Sequence, residues 1–206
     1  MPARPLFLTA LAATLTLTGC ATPNGPVQVT RFVEPTAQER LGTGTIFVET
    51  APGSDTDAQD LVPYKAAVAR ELARLGYREA ARAEAGQVAQ VSIERGVSRG
   101  RGGRNPVSVG VGGSTGSYGS GVGLGVGIIL GGGQREKLST TLRVMIRDRE
   151  TSQSLWEGRA LFDVATKSIL ADSAQNATVM ADALFRSFPG NNGETVAVSV
   201  QSNPSE

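Results

Sequence analysis

The stretch "LSTTLRVMIRDRETSQSLWEGRALFDVA", Leu138 to Ala165, is the strongest indication of fold in this sequence. Hydrophobic and polar residues alternate in its first half, and the alternation resumes after the polar turn "DRETSQS", as in two strands that each bury one face. Because the two segments follow each other closely, we predict an antiparallel hairpin. The predicted buried face consists of Leu138, Thr140, Leu142, Val144 and Ile146, then Trp156, Gly158, Ala160, Phe162 and Val164.

Four more strands and two helices are predicted around this hairpin. Apolar residues recur at helical spacing from Leu61, with Asp60 as the cap and Gly76 as the stop, and again from Ser173 to Phe188, before Pro189. We therefore predict an α+β fold: a two-layer sandwich with two helices packed on one face of a mostly antiparallel sheet, plus a glycine-rich hairpin insertion. The predicted strands are "VQVTRFV" (27–33), "TGTIFVET" (43–50), "QVAQVSIER" (87–95) and "TVAVSV" (195–200).

The N-terminal segment has the features of an export signal. An apolar run of twelve residues, Leu6 to Leu17, follows a single positive charge at Arg4 and is too short to cross a hydrocarbon core about 30 Å thick. Leu17, Thr18, Gly19 and Cys20 then resemble the lipobox of bacterial lipoproteins, in which the cysteine is acylated and the leader is cut before it. An ordinary secretory signal that happens to end near a cysteine is the alternative interpretation.

The lipobox predicts a location and domain boundaries. Several acyl chains hold a protein to a membrane essentially permanently, and the non-acidic Ala21 after the cysteine resembles lipoproteins that are sorted to the outer membrane. We expect a signal peptide at residues 1–19, a lipid-anchored tether at 20–26 and a periplasmic domain at 27–206. The domain includes a glycine-rich insertion at 96–134.

Composition excludes several kinds of chemistry. The chain has no histidine, and its one cysteine would carry lipid, which removes Ser-His-Asp and Cys-His catalysis and zinc sites built from these residues. After cleavage nineteen basic and nineteen acidic residues remain, a balance that argues against a nucleic-acid partner. We therefore expect no metal, no cofactor and no enzymatic activity. Composition alone does not exclude metal sites built from oxygen ligands or hydrolysis by paired carboxylates.

Three local motifs have residue types found in functional sites. The acidic triplet of "DTDAQD" lacks the glycine and the distal glutamate of a calcium loop, so a solvated turn with a helix cap is expected. The match to G-x-S-x-G at Gly112 to Gly116 has no histidine to activate its serine. Glu157 and Asp163 are candidates for a carboxylate-dependent hydrolase, although we predict them on an outward strand face, in a charge ladder with Arg143, Arg147 and Arg159.

The glycine tract is open to three interpretations. Residues 105–134 carry no charge and are flanked by arginines. The tract is a loose hairpin without a function of its own, or a hairpin that contacts the membrane or another subunit while arginines bind anionic headgroups. The third interpretation is an arginine-glycine nucleic-acid segment, "RGVSRGRGGR", which export argues against.

Several pieces together resemble one family, the bacterial lipoproteins that share Domain of Unknown Function 4136. The matching pieces are the lipobox leader, "ELARLGYRE", "LRVMIRD", "LWEGRA" and "LFRSFPG", and they lie within residues 27–190 apart from the leader. The resemblance implies an envelope lipoprotein with an α+β domain, and it brings no established catalytic or binding residues. The strand "QVAQVSIER" lacks an aspartate expected before it, and a C-terminal extension follows Pro189.

These observations predict an outer-membrane-anchored envelope lipoprotein with a non-catalytic structural or binding role. The expected partners are the membrane, through the N-terminal acyl chains, and envelope proteins or anionic lipid headgroups, with no nucleic acid. The alternatives are a carboxylate-dependent envelope hydrolase and a subunit of a membrane-associated assembly that uses the glycine-rich hairpin.

Overall fold

The computed structural model describes residues 25–54, 56–98, 107–112, 123–128 and 136–200. The predicted signal peptide, the lipobox and Cys20 lie outside these residues. No helix in the described part is both long and apolar enough to cross a bilayer. The elements are β1 (Val27–Val33), β2 (Thr45–Thr50), α1 (Ala58–Arg74), β3 (Arg78–Glu79), β4 (Gln87–Ser98), β5 (Val107–Gly112), β6 (Gly123–Ile128), β7 (Lys137–Asp148), β8 (Ser154–Ala165), α2 (Ser173–Phe185) and β9 (Thr195–Val198), with short 3₁₀ helices at Pro35–Arg40 and Ile169–Ala171.

Seven of the strands form one mixed open sheet in the order β3-β2-β4-β7-β8-β1-β9. The predicted hairpin is its centre, because β7 and β8 pair antiparallel along twelve-residue strands. Four of the six pairings are antiparallel, while β2 is parallel to both β3 and β4. The parallel pairings arise because α1 returns the chain to the end where β2 began. The α+β class predicted from the sequence agrees with this architecture.

Strands β5 and β6 pair antiparallel in a two-stranded sheet of their own. Their register pairs Val107 with Ile128 and Gly112 with Gly123. Both strands lie within the predicted insertion, whereas its remaining residues 99–106, 113–122 and 129–135 are outside the described part of the chain. Strand β4 itself continues to Ser98, three residues into the predicted insertion.

The core lies on one face of the seven-stranded sheet. Alternate residues of β4, β7 and β8 are buried, and α1 and α2 contact each other as well as these strands. Both helices bury most of the stripes predicted from helical spacing, whereas Leu75 and Phe188 lie beyond the helix ends and are partly buried. The buried positions include Ala89, Val91 and Ile93 of β4, Leu142, Val144 and Ile146 of β7, Ala160, Phe162 and Val164 of β8, and Leu61, Tyr64, Val68, Leu72, Ala177, Met180, Ala181, Leu184 and Phe185 of the helices.

The helix boundaries differ slightly from those predicted. Helix α1 begins at Ala58 rather than Leu61, and Asp57 rather than Asp60 occupies the position before its first turn. Its end is as predicted: Gly76 adopts a φ of 108°, and the amide of Tyr77 donates to the carbonyl of Leu72. Helix α2 ends at Phe185, where the prediction continued to Phe188.

Trp156 joins the hairpin to the end of α2. A Cβ atom at Gly158 would lie 2.2 Å from Cη2 of Trp156, so the indole occupies the space above that glycine. The indole stacks on Phe185 at a centroid distance of 5.4 Å and contacts Phe188 at 5.2 Å. Its N–H donates to the carbonyl of Pro189 at 2.9 Å. One side chain of β8 therefore fixes both α2 and the loop that follows it.

Arg31 of β1 holds the same end of α2 from the other side. The side chain is only 5% exposed, and it donates to the carbonyls of Leu184, Ala183 and Arg186 at 2.9, 3.0 and 2.6 Å. These are among the last carbonyls of a helix, which lack partners within the helix and favour a positive charge. Gly190 leaves room for the guanidinium group, because a Cβ there would lie 2.6 Å from Cδ of Arg31.

Replacing Gly158 with Ala is expected to destabilise the domain by about 1–3 kcal/mol, the usual range for overpacking a core. The added methyl would overlap the indole of Trp156 and approach Leu184 to 2.8 Å. Chemical denaturation measures the effect. The matched control is Gly96→Ala on β4, where a Cβ meets nothing within 4 Å. Equal stabilities for the two variants would contradict the close packing of Trp156 on Gly158.

Candidate functional site

The ends of several strands, the predicted insertion and a group of polar contacts lie at one end of the sheet, which we call the insertion end. It is the end where β4 stops, β7 begins and β8 stops, because Ser98 pairs with Lys137 and Lys137 pairs with Ala165. Strand β1 begins towards the same end, since it runs antiparallel to β8. The register places four residues in one row across these strands: Glu94, Thr141, Leu161 and Gln28.

This row relates the N-terminus of the domain to the insertion. Val27 lies one residue beyond Gln28 towards the insertion end, and Ser98 lies four residues beyond Glu94 in the same direction. Four residues of strand span about 13 Å. The chain segment that precedes β1 and both stems of the insertion therefore leave the sheet at the same end.

A buried polar pair holds the helices together near this end. The hydroxyl of Tyr64 on α1 donates to Oδ1 of Asn176 on α2 at 2.9 Å, and Nδ2 of Asn176 donates to the carbonyl of Leu170 at 2.9 Å. Both side chains are fully buried. Burial raises the pKa of the Tyr64 hydroxyl, although the nearby Arg95 opposes the change. The phenol stays protonated at neutral pH, so the pair orients the helices and supplies no base.

Arg95 connects the last part of β4 to the start of α2. Its guanidinium group donates to Oγ of Ser173 at 2.5 Å and to the carbonyl of Ala171 at 2.7 Å. A cation at a helix N-terminus is unfavourable by itself. Asp172 offsets this cost, because its carboxylate accepts from the amides of Ala174 and Gln175 as the helix cap. The insertion end is therefore braced by polar contacts between β4 and α2.

The residues predicted to form a charge ladder lie on the sheet face opposite the helices, which we call the open sheet face, but the register places neither acid of β8 directly opposite an arginine of β7. Arg143 and Arg159 face each other directly in the register of β7 and β8, and Arg143 also forms an ion pair with Glu94 of β4. Phe32 is 48% exposed on this face and Leu161 is 39% exposed. The face therefore mixes both charge signs with exposed apolar residues, as binding surfaces often do.

The two carboxylates proposed for hydrolysis do not meet. Glu157 and Asp163 both lie on the open sheet face but are six residues apart on β8, a separation of about 20 Å at the rise of a strand. Paired carboxylates in glycosidases lie roughly 5 to 9.5 Å apart. In the described structure these two residues therefore do not form a catalytic pair.

Two grooves lie on the surface of the described residues. A groove of about 380 Å³ lies where β2 ends, and Glu94 and Arg143 line it. A second, of about 300 Å³, lies between α2 and the segment after β9, and Asp182 and Arg186 line it. In each groove the carboxylate is paired with the arginine.

The other motifs noted in the sequence are not assembled into sites. Asp57 and Asp60 lie at the start of α1, and Asp55 is outside the described residues. Within the described ranges no group of three acidic or other metal-ligating side chains could hold an ion. Most of the G-x-S-x-G match, and the whole lipobox from Leu17 to Cys20, also lie outside those ranges.

Sequence reasoning missed the residues that brace the ends of α2. Arg31, in "VQVTRFV", occupies an inward position of β1. A charged residue at an inward position indicates that a buried hydrogen-bond acceptor lies near it, and the sequence contains this signal. Asn176 does not fall within the predicted apolar stripe of α2, and its partner Tyr64 is 112 residues away. No local pattern therefore indicates their contact.

No family model matches the chain. An uncharacterized protein of Zymomonas mobilis subsp. mobilis is 36% identical over 81 residues, which cover 37% of this chain and 30% of that protein. The match thus spans less than a third of the relative's length, and it identifies no function.

Two solved structures match most of this chain at low sequence identity. A PDZ domain protein from Parabacteroides distasonis has a TM-score of 0.50 at 14% identity, over 85% of this chain and 39% of that one. The PelC dodecamer from Paraburkholderia phytofirmans has a TM-score of 0.44 at 13% identity, over 77% of this chain and 94% of that one. The first likeness shows the fold alone, and the second is too distant to support an inference.

Replacing Tyr64 with Phe is expected to lower the free energy of unfolding by about 1–3 kcal/mol, because Oδ1 of Asn176 would remain buried without its donor. Urea denaturation measures the change. The matched control is Tyr77→Phe, whose hydroxyl donates to the half-buried Gln87, where water can take its place. A smaller loss for Tyr64→Phe than for the control would refute the bracing role of the pair.

Stability is also expected to fall at alkaline pH. Burial raises the pKa of both Tyr64 and Tyr77 above the ordinary 10.0. The stability that these two protonated hydroxyls contribute is therefore fully present below pH 10.0 and is lost as the pH rises through the folded-state pKa values. The reason is that the unfolded chain releases protons at a lower pH than the folded chain does. Urea denaturation midpoints are measured below and above pH 10.0. They should decline as the pH rises above 10.0, and the decline should be less steep in Tyr64→Phe. An unchanged slope in that variant would refute this assignment.

Proposed function

We propose that this chain is a lipoprotein anchored in the outer membrane through acyl chains on Cys20. Its α+β domain lies in the periplasm and has a non-catalytic structural or binding role. The resemblance to the lipoproteins of Domain of Unknown Function 4136 belongs to the same proposal, since the pieces that carry it include "LWEGRA" and "FPG".

The observation that carries the proposal is the spacing between the lipobox and the first strand. Cys20 follows an apolar run of export-signal length and precedes Val27, the first residue of β1, by seven positions. Seven extended residues reach at most about 25 Å. A lipid at Cys20 would therefore hold the insertion end of the sheet close to the membrane surface.

We further propose that the domain is a two-layer sandwich with a glycine-rich hairpin inserted between β4 and β7. One-sided burial of β4, β7 and β8 against α1 and α2 supports the two layers. The antiparallel register of β5 with β6 supports the hairpin.

A binding role accounts for the open sheet face better than catalysis does. Glu157 and Asp163 are too far apart to act on one bond, and the carboxylates that line the two grooves are paired with arginines. The open sheet face instead offers exposed Phe32 and Leu161 among charges of both signs, a surface suited to another envelope molecule.

Cys20→Ser is expected to abolish acylation, leave the leader uncleaved and remove the mature protein from the outer-membrane fraction. Mass spectrometry of the N-terminal peptide and membrane fractionation measure these outcomes. As the matched control, Ala21→Asp keeps the cysteine, so acylation should persist while the protein moves to the inner membrane. Unchanged processing and fractionation of Cys20→Ser would overturn the proposed function.

A further inference from the structure

The β5–β6 ribbon has two chemically different faces. Its register pairs Val107, Val109 and Val111 with Ile128, Val126 and Leu124, while Ser108, Gly110 and Gly112 pair with Gly127, Gly125 and Gly123. Because alternate residues of a strand share a face, one face of the ribbon holds six aliphatic residues. The opposite face holds five glycines and a serine.

Such a ribbon needs a partner for its aliphatic face. An isolated pair of strands is at best marginally stable in water, and β5 and β6 are not hydrogen-bonded to the seven-stranded sheet. Each strand is six residues long. Strands that span a bilayer need about 9 to 11 residues, so strands of six residues are too short to span one.

The position of the ribbon in the chain indicates which partner covers this face. Both stems of the insertion, at Ser98 and Lys137, leave the sheet at the insertion end, where the segment from Cys20 also joins the domain. From Arg95 to Arg135 the sequence has five arginines and no acidic residue. Cationic flanks beside an uncharged aliphatic segment match a bilayer with anionic headgroups.

We infer that the aliphatic face of the β5–β6 ribbon rests on the surface of the bilayer that holds the acyl chains of Cys20. The inference rests on the proposed function, because the lipid brings the insertion end to the membrane. The glycine face then points away from the lipid. The ribbon provides a second contact, which restricts how the domain is oriented on its tether.

Cysteine scanning of the acylated, full mature protein in vesicles of phosphatidylethanolamine and phosphatidylglycerol tests this inference. In the acylated protein the sulfur of Cys20, the only natural cysteine, is bonded to lipid, so an introduced thiol alone takes an environment-sensitive fluorophore. The aliphatic-face variants are Val109→Cys and Val126→Cys. Their matched neighbours on the glycine face are Ser108→Cys and Gly125→Cys.

Labels at positions 109 and 126 are expected to shift their emission to the blue and to be quenched by lipids that carry a quencher in the acyl chain. Labels at 108 and 125 are expected to remain exposed to water-soluble quenchers. The inference is overturned if all four labels behave as in water, or if all four are quenched equally by lipid. It is also overturned if the shift at 109 and 126 occurs without lipid quenching and disappears when the protein is diluted in lipid, since a second copy would then cover the face.

Failure of the proposed function gives a different result. In that case mass spectrometry finds Cys20 without acyl chains, and the protein does not remain with the vesicles. An acylated, vesicle-bound protein with water-exposed labels at 109 and 126 overturns the ribbon contact alone.

Discussion

Trp156 can lie across the sheet only because residue 158 has no side chain. The indole occupies the space above Gly158, stacks on Phe185 and donates a hydrogen bond to Pro189. Arg31 approaches the same helix end from β1 and binds its last carbonyls. These contacts join the central hairpin, the first strand, α2 and the loop after it into one core. Each needs a small residue at its closest approach, Gly158 beneath the indole and Gly190 beside the guanidinium.

The placement of β1 against β8 has a consequence far from this core. Because β1 is antiparallel to β8 and β8 is antiparallel to β7, the first residue of β1 lies towards the end of the sheet where β7 begins. The segment that precedes β1 and the segments that connect β4 with β7 therefore join the sheet at the same end. At that end Tyr64 of α1 donates a hydrogen bond to Asn176 of α2, and Arg95 joins β4 to the start of α2. The proposed lipid anchor and the proposed membrane contact thus lie at the end of the domain where these hydrogen bonds join its elements.

The charged groups of the described residues are arranged as ion pairs and separated acids. The acids that line the two grooves are paired with arginines, and Glu157 and Asp163 are separated along one strand. Ion pairs that are exposed to water contribute little to the free energy of folding. Their main effect is therefore to set the distribution of charge on the surface. The open sheet face keeps Phe32 and Leu161 accessible within that pattern, and any partner of this face would have to match it.

The sequence by itself determined the elements whose signals are local. Alternation from Leu138 to Val164 predicted the central hairpin, helical spacing predicted both buried stripes, and Gly76 predicted where α1 ends. Only the tertiary structure decided the strand order, the parallel pairing of β2 with β4, and the contacts of Arg31 and Asn176. The reason is physical: periodicity records which face of an element is buried, but it does not record which distant element covers that face. A buried polar group shows only that it needs a partner, and the fold supplies one from more than a hundred residues away.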